Sequence, residues 1–144
     1  MKILCDQDVP EPILEPLGHL LRLRHQVDHV NKLGWAGKKD RFLLPDASKR
    51  GYDALLTNDS NQLEDPDETD AIRRSGLHHI RYSHRHPGLT GLALAMGSIL
   101  AAMPGIVDAL EVADGQRLVR VSAISAQNRF EIVDPKKRPP RFWR

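Results

Sequence analysis

A single cysteine, Cys5, stands in 144 residues, which excludes a disulfide framework and a cysteine-rich zinc module. It falls in the apolar run Lys2-Ile3-Leu4-Cys5, read as a strand, where a thiol is ordinarily buried. No long apolar stretch opens the chain, so no signal peptide is expected, and a cytoplasmic home suits the reduced thiol. Internal repeats, heptad runs and low-complexity segments are absent, as are Gly-x-Ser-x-Gly, Walker and dinucleotide-binding fingerprints. Residues 89–107 lack charge, but Gly91, Gly97, Ser98, Pro104 and Gly105 dilute the run and no second apolar segment accompanies it. A core helix is expected there, with no membrane span. The remaining composition, 40% apolar and 28% charged, suits one globular domain with its own core.

Charge is unevenly spread. All 19 acids lie within residues 1–134 against 16 of the 21 Lys and Arg, a net charge of −3. The last ten residues, 135–144, carry five basic side chains and no acid, so a domain over 1–134 and a basic tail over 135–144 are expected. Lys136, Lys137 and Arg138, with Phe142 and Trp143 beyond them, suit a phosphate backbone and a stacked base. A solvated tail that only aids solubility explains the same composition.

Hydrophobic periods and breakers divide the body into alternating strands and helices. Strand Lys2–Cys5 leads to Asp6-Gln7-Asp8-Val9-Pro10, and a helix runs from Pro10 to about Leu21 with Pro16 as an interruption. A short strand over Gln26–Val30 precedes a loop over Asn31–Lys39. A helix from about Asp40 to Lys49 ends at Gly51, with Pro45 expected to kink it. Strand Asp53–Thr57 is followed by Asn58-Asp59, an acidic loop to Asp70, and a helix over Glu68–Ser75. Strand Leu77–Tyr82 comes next. The long apolar helix Leu89–Met103 should break at Pro104-Gly105 and resume to about Val112. Leu118–Ile124 and Arg129–Val133 read as a C-terminal edge hairpin around Ser125–Asn128. This alternation implies an α/β fold with parallel strand–helix–strand units and helices on both sheet faces. The apolar pattern of 89–112 is explained by core burial, and a second copy of the chain, as a homodimer, would suit it too.

In open parallel sheets ligands bind beyond the carboxyl ends of the strands. Asp6 and Asp8 follow the first strand and Asp59 follows the Asp53–Thr57 strand, so the three carboxylates should converge on one sheet edge. Clustered carboxylates repel one another, and a hard divalent cation such as Mg2+ or Mn2+ offsets that repulsion. Such an ion can activate water, and a pair of ions can clamp both sides of a phosphodiester displacement. Asp40, at a helix start, is the natural fourth ligand. Each of these positions also has a plain reading: Asp8 as a helix cap, Asp59 as a turn residue, Asp40 as a favourable charge on a helix N-terminus. The acids Glu64–Asp70 lack the spacing and glycine of a calcium loop and read as a solvated segment. His78 and His79 point to opposite faces of their strand and cannot ligate one ion together. His84 and His86 match no zinc spacing and, with Arg81 and Arg85 beside them, read as phosphate contacts along a groove.

With these residues placed, the chain resembles the small PIN-like domains, relatives of the VapC toxin ribonucleases. The likeness is carried by Lys2-Ile3-Leu4-Cys5-Asp6-Gln7-Asp8-Val9-Pro10, by His25–Val30 with Leu33-Gly34-Trp35, and by Gly51-Tyr52-Asp53-Ala54-Leu55-Leu56-Thr57-Asn58-Asp59. The order of elements extends it to about residue 133. The resemblance implies a three-layer α/β/α fold with a mainly parallel sheet. It also implies a metal-dependent endoribonuclease site with Asp6 as the central ligand, Asp59 opposite, and Asp40 as the acid on the helix between them. RNA is then the implied substrate and an antitoxin protein the usual partner. Asp8 stands where members often carry Asn, and Ser60, Asn61 and Gln62 stand where members often carry an acid.

Two other readings compete. A non-catalytic PIN-like module would bind nucleic acid or protein without cleaving. Asp6-Gln7-Asp8 also has the Asp-x-Asp form of haloacid-dehalogenase-like phosphatases, whose first Asp is a nucleophile. That chemistry needs a late lysine, and residues 77–133 contain none.

Overall fold

The computed structural model describes residues 1–21, 24–58, 61–83, 87–125, 127 and 130–143. Five short strands form the centre: β1 (Lys2–Cys5), β2 (Gln26–His29), β3 (Ala54–Thr57), β4 (His78–Arg81) and β5 (Leu118–Arg120). They pair in the order β2-β1-β3-β4-β5, and every pairing is parallel. The helices are α1 (Leu14–Leu21), α2 (Asp40–Lys49), α3 (Pro66–Ser75) and α4 (Gly88–Glu111), with a 3-10 turn over Glu11–Ile13 before α1.

The alternation of side chains along a strand assigns the two faces. Ile3 and Cys5 of β1, Ala54 and Leu56 of β3, and Ile80 of β4 pack with α1 and α4 through Leu17, Leu21, Ile99, Met103 and Val107. Leu4 and Leu55 point the other way, onto Leu43, Leu44 and Ala47 of α2 and Ile72 of α3. Because both faces are covered, β3 reads as an unbroken buried run, Ala-Leu-Leu-Thr, without polar alternation.

Three expectations need correction, two of them about breakers. Pro16 does not interrupt a helix, because α1 begins at Leu14 and Pro16 falls in its first turn, where no N–H is needed. Neither does Pro104 break α4, which runs through it for 24 residues. The missing backbone bond is offset by Met103, Val107 and Leu110, buried on the turns either side. By length and composition α4 could cross a membrane. Here its buried residues Gly91, Ala95, Ile99, Met103, Val107 and Leu110 recur at helical spacing, which lays one face on the sheet. The C-terminal hairpin is the third correction. β5 pairs parallel with β4, and no strand follows it among the described residues. The reason lies at Ile124, whose N–H donates to Ser98 Oγ at 3.1 Å, drawing the chain off the sheet edge onto α4. Phe130 and Ile132, which suggested the returning strand, stand exposed.

Helix ends follow local chemistry. Asp65 caps α3, accepting from the backbone N–H of Asp67 at 2.8 Å and Glu68 at 3.0 Å, so α3 starts two residues earlier than expected. Gly51 follows α2 with φ +80°, a left-handed conformation that glycine adopts without strain. In a parallel sheet the helix N-termini and strand carboxyl ends share one edge, which brings Asp40 to the side where β1 and β3 finish.

Candidate carboxylate site at the strand ends

β1 ends directly into Asp6. Its backbone N–H donates to Leu56 O at 2.9 Å, extending the pairing with β3 by one bond, and its carbonyl accepts from Val9 N at 3.0 Å to close a turn. Asp6 is buried, with 8% of the residue exposed. Oδ1 accepts from Gln7 N at 2.8 Å, and Oδ2 accepts from the buried Thr57 hydroxyl at 3.1 Å, which aims Asp6 at the end of β3. At the end of β2, buried His29 donates from Nε2 to Val9 O at 2.8 Å, while its Nδ1 accepts from Asn31 N. That bond fixes the far side of the same turn.

Gln7 ties the turn to α2. Its Oε1 accepts from Gly37 N at 2.8 Å, so the loop over 31–39 is anchored beside Asp6 before α2 begins at Asp40. Gly37 has φ +76°, which spares the loop the strain a side chain would meet there. Asp40 Oδ2 accepts from Gln62 Nε2 at 2.7 Å, and Gln62 Oε1 accepts from His79 Nε2 at 2.9 Å. A carboxylate only accepts, so the amide must present its NH2 to Asp40 and its oxygen to His79, which makes Nε2 the protonated nitrogen of that ring. Gln62 and His79 are 2% and 1% exposed, so this relay reaches from β4 through the interior to the start of α2.

The neighbouring titratable groups register negative potential at this edge. Burial pushes the Cys5 thiol up to about 12, with Asp28 and Asp6 adding to it, so the thiol stays neutral and unreactive. Burial likewise raises the Tyr82 phenol, helped by Cys5, Asp8 and Asp6, and its hydroxyl donates to Asp8 O at 3.4 Å. Asp8 itself is exposed.

Asp6, Asp8 and Asp40 therefore lie on elements tied together at one edge, but they do not close into a ligand cluster by themselves. Among the described residues no three His, Cys, Asp or Glu stand near enough to hold a metal ion. Asp59 and Arg85 lie outside the described residues, as do His84 and His86. Arg81, half-buried, ends β4 opposite Thr57 in register. Lys136, Lys137 and Arg138 are exposed, and Arg138 pairs with Glu131 at 2.7 Å. Of the two histidines of β4, His79 is buried and does not line an exposed groove. His79 is enclosed against Gln62, and Nδ1 of His78 accepts the Arg117 N–H at 3.0 Å. Of the acids of 64–70, Asp65 caps α3 and Asp70 is the partner of Arg73 and Arg74.

Thr57 and Gln62 were not among the residues singled out from sequence, although each contacts a candidate acid. Thr57 carried a signal, a hydroxyl at the end of an otherwise apolar strand. Gln62 was marked only as standing where members often carry an acid, and its bonds were not foreseeable because its partners are 22 and 17 residues away.

No curated protein and no solved structure matches the chain. Residues 1–83 match the model of the PIN-like domain, a stretch that spans β1 to β4 and carries Asp6, Asp8, Asp40, Thr57 and Gln62. That match takes in more than half of the chain and the whole sheet edge just described, and the protein is a member of the PIN-like domain family.

Proposed function

We propose that the protein is a Mg2+- or Mn2+-dependent endoribonuclease of PIN type. The observation that carries this reading is the restraint placed on two acids: the Thr57 hydroxyl donates to Asp6 and the Gln62 amide donates to Asp40. Carboxylates oriented at a sheet edge form a donor set that suits a hard cation. Asp6, Asp40 and Asp59 would hold it, with Asp8 as an added oxygen ligand. When bound, such an ion supplies Lewis-acid charge and a water of lowered pKa. The chain's own part is to fix the acids and to keep the RNA backbone in place, through Arg81, Arg85 and the basic tail at Lys136, Lys137 and Arg138. This reading suits the toxin of a cytoplasmic toxin–antitoxin pair, with an antitoxin protein as partner, and allows a homodimer.

One observation favours a second reading. Gln62 lies in the stretch where members often carry an acid, and here its amide bonds Asp40, so the molecule can also be a non-catalytic module that binds nucleic acid or protein. Incubating labelled single-stranded RNA with Mn2+ separates the two. The nuclease reading expects cleavage by wild type and its loss in Asp6→Asn and Asp59→Asn. Equal cleavage by all three would mark contamination and remove the site, and binding without cleavage would favour the module. Phosphate release from small phosphomonoesters, dependent on Asp6, would instead support a phosphatase.

A further inference from the structure

Beside the carboxylates runs a groove of about 660 Å3 lined by Trp35, Lys38, Lys39, Arg41 and Phe42. Lys39 and Arg41 also line a second cleft, shared with Asp40, Asp65, Asp67 and Glu68. The two clefts meet at Lys39 and Arg41, the first aromatic and cationic, the second acidic. Phe42 is 54% exposed in the first turn of α2, whose buried positions are Leu43, Leu44 and Ala47. An apolar ring left in water on an otherwise well-packed helix has given up burial that a Phe ordinarily gains.

Its surroundings say what would cover it. The Arg41 guanidinium lies 4.7 Å from the Phe42 ring centre, and Lys38 and Arg50 lie 4.8 and 4.9 Å from that of Trp35. Trp35 packs on the α2/α3 core, so the wall is fixed. Lys38 pairs with Asp46, the one acid among the described residues of the groove, and its hydrogen bond holds that carboxyl below the usual range. Positive charge interleaved with aromatic faces complements a chain of phosphates bearing flat bases.

We infer that this groove seats a single-stranded nucleic acid, with a base stacked on Phe42 and phosphates over Lys39 and Arg41, leading toward Asp40. The inference rests on the proposed phosphodiester site and adds where the strand lies. Asp65, Asp67 and Glu68 give the path its direction, since phosphates avoid the α3 side and leave past Trp35. Stacking on Phe42 needs an unpaired base, so a duplex is a poorer occupant.

The test is fluorescence anisotropy of a short labelled oligouridylate in EDTA, where neither metal nor cleavage contributes. Phe42→Ala should weaken binding about tenfold with little change in salt dependence. Lys39→Glu with Arg41→Glu should weaken it and flatten the plot of log affinity against log salt by about 0.7 for each phosphate lost. Circular dichroism and thermal midpoints near wild type establish that these exposed substitutions leave the fold intact. Wild-type affinity in all variants, or no binding by wild type, overturns the groove. Wild-type affinity in the variants is also what a protein-binding groove, or RNA held by the tail alone, would give. Groove-dependent binding without Mn2+-dependent cleavage would keep this inference and sink the nuclease, whereas cleavage indifferent to Phe42 and Arg41 would do the reverse.

Discussion

Replacing Gln62 by Leu removes the centre of the Asp40–Gln62–His79 relay at nearly constant volume. Two hydrogen bonds go, one of 2.7 Å to a carboxylate and one of 2.9 Å to a buried imidazole. A bond to a charged group contributes about 1.5–3 kcal/mol and a neutral one about 0.5–1.5 kcal/mol. Asp40 is partly exposed and water can replace one donor, which places the loss toward the lower end, about 2–3 kcal/mol. For a domain of this size that is a fall in Tm of roughly 5–10 °C. Urea unfolding followed by circular dichroism reads the change directly, and a cycle with His79→Leu should give a coupling of about 1 kcal/mol. The same variant should weaken Mn2+ binding by about 10–100-fold, since Asp40 loses the donor that orients it. A Gln62→Leu protein within about 0.5 kcal/mol of wild type, with additive effects in the cycle, would refute the relay.

Asp65→Ala deletes the cap of α3 and should cost about 1 kcal/mol in urea unfolding, with Asp65→Asn recovering most of it; equal stability of all three would contradict the cap. Burial lowers the His78 pKa below 6.5 in the folded chain. The neutral ring is therefore favoured on folding, so its contribution is present above pH 6.5 and is lost as pH falls, when Nδ1 can no longer accept the Arg117 N–H. Exchange of the Arg117 amide should accelerate between about pH 7 and pH 5 relative to neighbouring core amides, and a constant ratio would count against it. Cys5, with its thiol pushed up to about 12, should resist an aromatic disulfide reagent at mildly alkaline pH until urea unfolds the chain. Rapid native labelling would mean that the end of β1 opens.

The strand order of charges was legible because each strand is a short apolar run that stops at a polar residue, and parallel pairing follows from the helices between the runs. Asp6 and Asp40 could be placed on one edge for that reason alone. Packing decided the rest. The alternation at Phe130 and Ile132 looked like a strand, yet the bond from Ile124 to Ser98 takes the chain off the edge before a hairpin can form. Pro104 looked like a stop, yet buried side chains on both adjoining turns carry α4 through it. Gln62 is a polar residue in a loop, and nothing in its neighbourhood announces that its amide joins a strand to a helix start.

A crystal soaked in Mn2+ and measured for anomalous scattering tests the metal site most directly. The account predicts a peak at about 2.0–2.2 Å from carboxylate oxygens that include Asp6, with Asp59 and Asp40 completing or bridging the coordination. A peak confined to the acids of residues 64–70, or none at the end of β1, would contradict it.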